Sequence, residues 1–141
     1  PELIECYQDC LNWGHLCENP CLTPQLVIQY EARWTSWWGR LSFKAPLTLE
    51  LVERYEEKWN WTLLSCNNRL SQDIIARYWD RLTMSHVGHC PLPWSFLQQH
   101  LDRKWNWSLI SRTALLNWDD VVDNPGIQWN TMQLCKNRSL S

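Results

Sequence analysis

Large apolar residues recur along this chain at steps of 23 to 25 positions, each time among the same polar neighbours. The clearest pair reads K-W-N-W-T-L-L-S at 58–65 and K-W-N-W-S-L-I-S at 104–111. With the first Trp as anchor, one column runs Leu11, Trp34, Trp59, Leu82, Trp105 and Trp129. Two positions on lie Trp13, Trp61, Met84 and Trp107, interrupted at Ser36 and Thr131. In the second unit Trp37 and Trp38 are placed to fill the gap through a two-residue insertion. Upstream stands an aliphatic pair: Leu3-Ile4, Leu26-Val27, Leu51-Val52, Ile74-Ile75, Phe96-Leu97 and Val121-Val122, followed by Tyr7, Tyr30, Tyr55, Tyr78 or His100. Downstream stand Leu16-Cys17, Leu41-Ser42, Leu64-Ser65, Val87-Gly88, Ile110-Ser111 and Leu134-Cys135. A period of this length marks a stacked repeat array.

Each unit reads as two helices. Thr23, Thr48, Ser71, Asn117 and Ser141 precede the aliphatic pair and suit an N-cap, with Pro24 at a first helical position. Glu50, Asp73, Asp119 and Asp120 put negative charge in first turns. Leu51, Val52, Tyr55 and Trp59 share a face, which predicts a first helix of roughly eleven residues. Asn60, Asn106 and Asn130 suit the cap of a shorter second helix. Asn19, Asn67 and Asn137 follow it, as expected of a left-handed C-terminal cap. Strand-like alternation is absent.

The predicted fold is therefore all-α: a solenoid-like array of about six two-helix repeats in one domain. The units run about 1–23, 24–48, 49–71, 72–93, 94–117 and 118–141. Pro1 shares a column with Pro24, and Ser141 falls in the N-cap column. The expectation is a piece of a longer array, or one whose open ends meet other chains.

With 45% hydrophobic residues, including 12 Trp, the chain has the apolar material for a continuous core. A Trp ring brings large buried area from two torsions, which suits short units. A net charge of −2 supplies no global field for nucleic acid or anionic lipid. No apolar run approaches the roughly twenty residues of a membrane span. No membrane and no nucleic-acid partner is expected.

Arg33, Lys58, Arg81 and Lys104 precede four successive anchors, near Glu31, Glu56, Glu57, Asp80 and Asp102. Ion pairs between neighbouring helices are the plainer reading, and a partner-binding stripe the functional one. The seven cysteines include Cys6-x3-Cys10 and Cys17-x3-Cys21 around His15. They admit nested disulfides or a zinc site, since Zn takes thiolate and imidazole. The register favours buried thiols instead, because Cys17 and Cys135 fill a small-residue column held elsewhere by serine. An odd total argues against a fully paired secreted framework and for the cytoplasm or another reducing compartment, with a virion as the alternative location. His86, His89 and Cys90 break the consensus of the fourth unit, as degenerate surface residues or as metal ligands. The N-x-S/T matches at Asn60, Asn106 and Asn137 follow from the repeat.

The run W-N-W-x-x-L-S-x-N-x-x-L-S at 59–71 resembles uncharacterised Trp-rich tandem repeats, with a W-D/N-W…L-S-x-N core, of some bacteria and large DNA viruses. The resemblance spans all six units and is strongest in the third and fifth. It implies a helical scaffold and carries no activity to any residue.

The expected function is a non-enzymatic protein-interaction or assembly scaffold, with a protein partner or self-association and no cofactor. No activated nucleophile, carboxylate pair or phosphate loop is legible. The alternative is carbohydrate or single-stranded nucleic-acid binding through off-register aromatics: Trp37, Trp38, Trp79, Trp94 and Trp118. Burial decides between them, since a core Trp cannot stack on a ligand.

Overall fold

The computed structural model describes residues 2–140, with side chains from residue 4 onward. Expectations placed on Pro1, the Leu3 side chain and Ser141 lie outside the described residues. Within them the chain is all-α: eleven short α-helices and one 3-10 turn, Glu31–Trp34. The nearest approach to a strand is one parallel bridge between Pro93 and Leu115. Among the described residues no helix is long and apolar enough to cross a membrane.

The first helices of the units are α1 (Glu2–Tyr7), α3 (Pro24–Gln29), α5 (Leu49–Arg54), α7 (Gln72–Arg77), α8 (Trp94–Gln98) and α10 (Trp118–Val122). The second helices are α2 (Trp13–Leu16), α4 (Trp38–Lys44), α6 (Trp61–Ser65), α9 (Trp107–Thr113) and α11 (Thr131–Leu134). Thr23, Thr48, Ser71 and Asn117 cap first helices, each side-chain oxygen accepting an N3 backbone N–H. Asn60, Asn106 and Asn130 do the same for second helices, and so does Asn12, which the motif reading passed over.

Three local expectations are corrected. The first helices span five or six residues, not eleven. Tyr30, Tyr55 and Tyr78 leave helical geometry at ψ near 30°. Indoles then reach back to first-helix and turn carbonyls: Trp59 Nε1 donates to Val52 O (3.2 Å), Trp105 Nε1 to His100 O (2.8 Å) and Trp129 Nε1 to Asn124 O (3.0 Å). In these units the folded-back indole satisfies a carbonyl that a further helical turn would otherwise have satisfied.

The asparagines after the second helix are not left-handed caps, since no described residue has positive φ. Asn67 is fully buried, and its Nδ2 donates to Ser42 O (3.0 Å) and Ala45 O (3.1 Å) of the preceding unit. Asn137 repeats this on Ser111 O and Ala114 O at 2.9 and 3.0 Å. Each Oδ1 accepts the backbone N–H two residues on.

The fourth unit has no second helix between α7 and α8. Thr83 replaces the capping Asn, Gly88 lowers helix propensity, and Pro91 blocks continuation.

Consecutive units meet through recurring contacts. Ser42 Oγ donates to Trp38 O and accepts the Asn60 N–H; Ser65 does so for Trp61 and Thr83, and Ser111 for Trp107 and Asn130. Cys17 fills this column in the first unit, its Sγ 3.4 Å from Trp13 O. Rings interlock edge to face: Trp13 on Trp34 (4.9 Å, 87°) and Trp38 on Trp59 (5.0 Å, 87°). Trp13, Trp38 and Trp61 also lean on Tyr30, Tyr55 and Tyr78 of the following unit. Trp38, not Trp37, thus restores the interrupted column. Trp37 lies instead against Gly14, where a Cβ would stand 2.5 Å from the indole.

Candidate functional site

The cation column forms cross-unit ion pairs. Arg33 pairs with Asp9, Lys58 with Glu31, and Arg81 with Glu56 and Glu57. Tyr55 and Tyr78 donate their hydroxyls to Glu31 and Glu56. The Lys58 hydrogen bond, and after it that of Tyr55, holds the Glu31 carboxyl below its usual range. Lys58 also lies over Trp38 at 5.4 Å and Arg81 over Trp61 at 4.3 Å. Three of the four candidate cations are thus engaged between units. Such exposed pairs set register more than stability. Lys104 is exposed, and its unit follows the one where Trp79 replaces the carboxylate of the column.

Trp79 explains its own irregularity. The fourth unit has Met84 where a column Trp stands elsewhere, and Trp79 takes over both of its ring contacts. It meets Trp105 edge to face (5.4 Å, 86°) and His100 at 5.1 Å, with Arg103 over its face at 5.0 Å. Of the other off-register aromatics, Trp94 is buried, and Trp37 and Trp38 are half-buried within the packing. Only Trp118, at 54% exposure, presents most of its ring to solvent.

The cysteines divide by environment. Cys17 and Cys90 are buried and Cys66 is half-buried, but Cys6, Cys10, Cys21 and Cys135 are exposed. The buried-thiol expectation thus fails for four of the seven. The exposed four lie on the first helix (Cys6), on turns (Cys10 and Cys21) and at the end of α11 (Cys135). Burial raises the Cys17 and Cys90 thiols to about 11, leaving them protonated and weakly nucleophilic at neutral pH. Among the described residues no three His, Cys, Asp or Glu side chains come together as a metal would need; this covers Cys6, Cys10, His15, Cys17 and Cys21 as well as His86, His89 and Cys90.

The fourth unit's histidines are brought to a surface that the motif reading missed. His86 and His89 line a cleft of about 330 Å³ with Asn106, Ser108, Arg112 and Gln133. His89 and Arg112 also border a second cleft of about 580 Å³, which continues to Leu115, Lys136 and Arg138. Among the described residues neither lining includes an Asp or Glu side chain. His86 Nδ1 and Gln133 Oε1 are buried and lack hydrogen-bond partners.

The signal for this surface was in the sequence. Of the 15 acidic residues only Glu18 lies between an anchor position and the next first helix. Six of the 13 cations do: Arg40, Lys44, Arg69, Arg112, Lys136 and Arg138. Carboxylates therefore accompany the first helices, and the second-helix surface is basic despite the acidic total.

No protein-family model, curated protein or solved structure gives a significant match to this chain.

Proposed function

We propose that the chain is a solenoid-like array of two-helix units that serves as a protein-interaction scaffold, without catalysis of its own. The observation that carries this reading is the use of the repeat's distinctive residues. The Trp and Tyr columns, the buried Ser and Asn and the cation column all join one unit to the next. What faces outward is a largely polar surface with open clefts, and extended surfaces of this kind are what helical arrays use for binding. The fourth unit gives up its second helix and opens that surface at His86 and His89. Stacking of sugars or bases has less support, since four of its five candidate Trp residues are packed and Trp118 stands alone.

The test is affinity capture from the native source on the purified chain, with bound protein, RNA and glycan analysed separately. A stoichiometric protein is expected. Capture of RNA or glycan alone overturns the reading. The array itself is tested by removing residues 49–71: if junctions are interchangeable, the shortened chain folds with the same helicity per residue.

A further inference from the structure

We propose that the second-helix surface of the last three units is a docking groove for an extended acidic polypeptide segment. This rests on the scaffold reading and names the partner's chemistry. Three observations converge on it.

The first is charge. The two adjoining clefts share His89 and Arg112 and reach Lys136, and among the described residues no Asp or Glu side chain lines either. Arg112 and Lys136 are exposed, and neither forms an ion pair among the described residues, in contrast to Arg33, Lys58 and Arg81. Cations kept clear of the chain's own 15 carboxylates attract an external anion and speed its encounter.

The second is hydrogen-bonding type. Gln133 Oε1 is an acceptor, buried in the cleft lining without a donor, and His86 Nδ1 is likewise unpartnered. A buried polar atom without a partner is destabilising, so an occupant that satisfies it binds more tightly. A peptide backbone brings both N–H donors and C=O acceptors. A phosphodiester backbone brings acceptors only, so in a nucleic acid the donor for Gln133 Oε1 has to come from a base.

The third is the apolar content of the groove. Leu109 and Leu115 line it, Leu115 at 53% exposure, and no Trp, Tyr or Phe does. A branched aliphatic side chain of a peptide finds a seat there, but a nucleobase finds no aromatic platform. These features select an acidic peptide over a single-stranded nucleic acid.

The probe is a fluorescein-labelled peptide alternating Glu or Asp with Leu and Val, measured by fluorescence anisotropy at low and high salt. The expected result is saturable binding that weakens with salt. Binding should fall at least about tenfold in Arg112→Glu/Lys136→Glu and stay unchanged in Arg54→Glu, a first-helix control. Circular dichroism checks that each variant is folded. Gln133→Leu should weaken the peptide several-fold but leave a single-stranded oligonucleotide of equal charge unaffected. Three outcomes overturn the proposal: no binding, equal loss in the Arg54→Glu control, or an oligonucleotide that binds tighter and displaces the peptide. A fourth is self-association abolished by Arg112→Glu/Lys136→Glu without any peptide binding, which makes the occupant a second copy. If the groove variants still capture the native protein partner, the groove assignment fails and the scaffold reading stands. If no protein is captured at all, the scaffold reading fails.

Discussion

Replacing Asn67 by alanine removes a junction between two units without touching the aromatic packing. Its side chain is fully buried, donates at 3.0 and 3.1 Å to Ser42 O and Ala45 O, and accepts the Arg69 N–H at 2.9 Å. Each such bond is worth about 0.5–1.5 kcal/mol net, and the groups left behind are desolvated, so the expected loss is about 2–4 kcal/mol. Against a domain stability of about 5–15 kcal/mol this is large. With a urea slope of about 1–3 kcal/mol/M, the midpoint should drop by one to a few molar. Tryptophan fluorescence and far-ultraviolet circular dichroism both follow the transition. Asn67→Asp is nearly isosteric but aims an anionic oxygen at two carbonyls. It should cost at least as much at neutral pH and recover partly on acidification, as protonation restores one donor. A loss below about 0.5 kcal/mol, within the range of an exposed Asn68→Ala control, refutes the clamp. So does an Asn67→Asp variant indistinguishable from wild type.

Gly14→Ala should destabilise by about 1–3 kcal/mol, because its Cβ would stand 2.5 Å from the Trp37 ring. In a Trp37→Leu background the same change should become neutral or stabilising by up to about 1 kcal/mol, since alanine then gains its helix propensity; thermal melts of the four proteins decide it. Alkylation at neutral pH, read by peptide mass spectrometry, should modify Cys6, Cys10, Cys21 and Cys135 rapidly, and Cys17 and Cys90 only after denaturation. Equal rates at all sites would contradict the burial assignment. The Glu31 carboxyl is held low, so its stabilising contribution is present above the unfolded pKa and lost as pH falls through the folded one. Glu31→Gln should therefore flatten the acid side of the stability profile, and an unchanged profile would contradict the assignment.

The caps at Thr23, Thr48, Ser71, Asn60, Asn106 and Asn130 were legible in the sequence because capping is a contact three residues long. The aromatic columns were legible because apolar periodicity survives in any one unit. Asn67 was misread because a local cap and a long-range clamp call for the same residue type at the same place. What separates them is a partner about two dozen residues away. First-helix length was overestimated because Leu51, Val52, Tyr55 and Trp59 keep one face through a turn that an indole N–H closes. Trp79 looked like a spare aromatic until its loss of register was set beside Met84. The groove escaped notice because its mark is a deficit of carboxylates spread over six units, and no single motif contains a deficit.

The Asn clamp has a consequence for how such a chain changes over time. Its acceptors at Ser42 O, Ala45 O, Ser111 O and Ala114 O are main-chain atoms, present whatever side chains the preceding unit carries. A duplicated or recombined segment therefore arrives with half of its junction already compatible. The ring contacts are the selective half: where Met84 stands in the column in place of a Trp, Trp79 makes the ring contacts from another position. Units should therefore be exchangeable where their rings match, and a mismatched ring should need a second aromatic elsewhere to restore the junction.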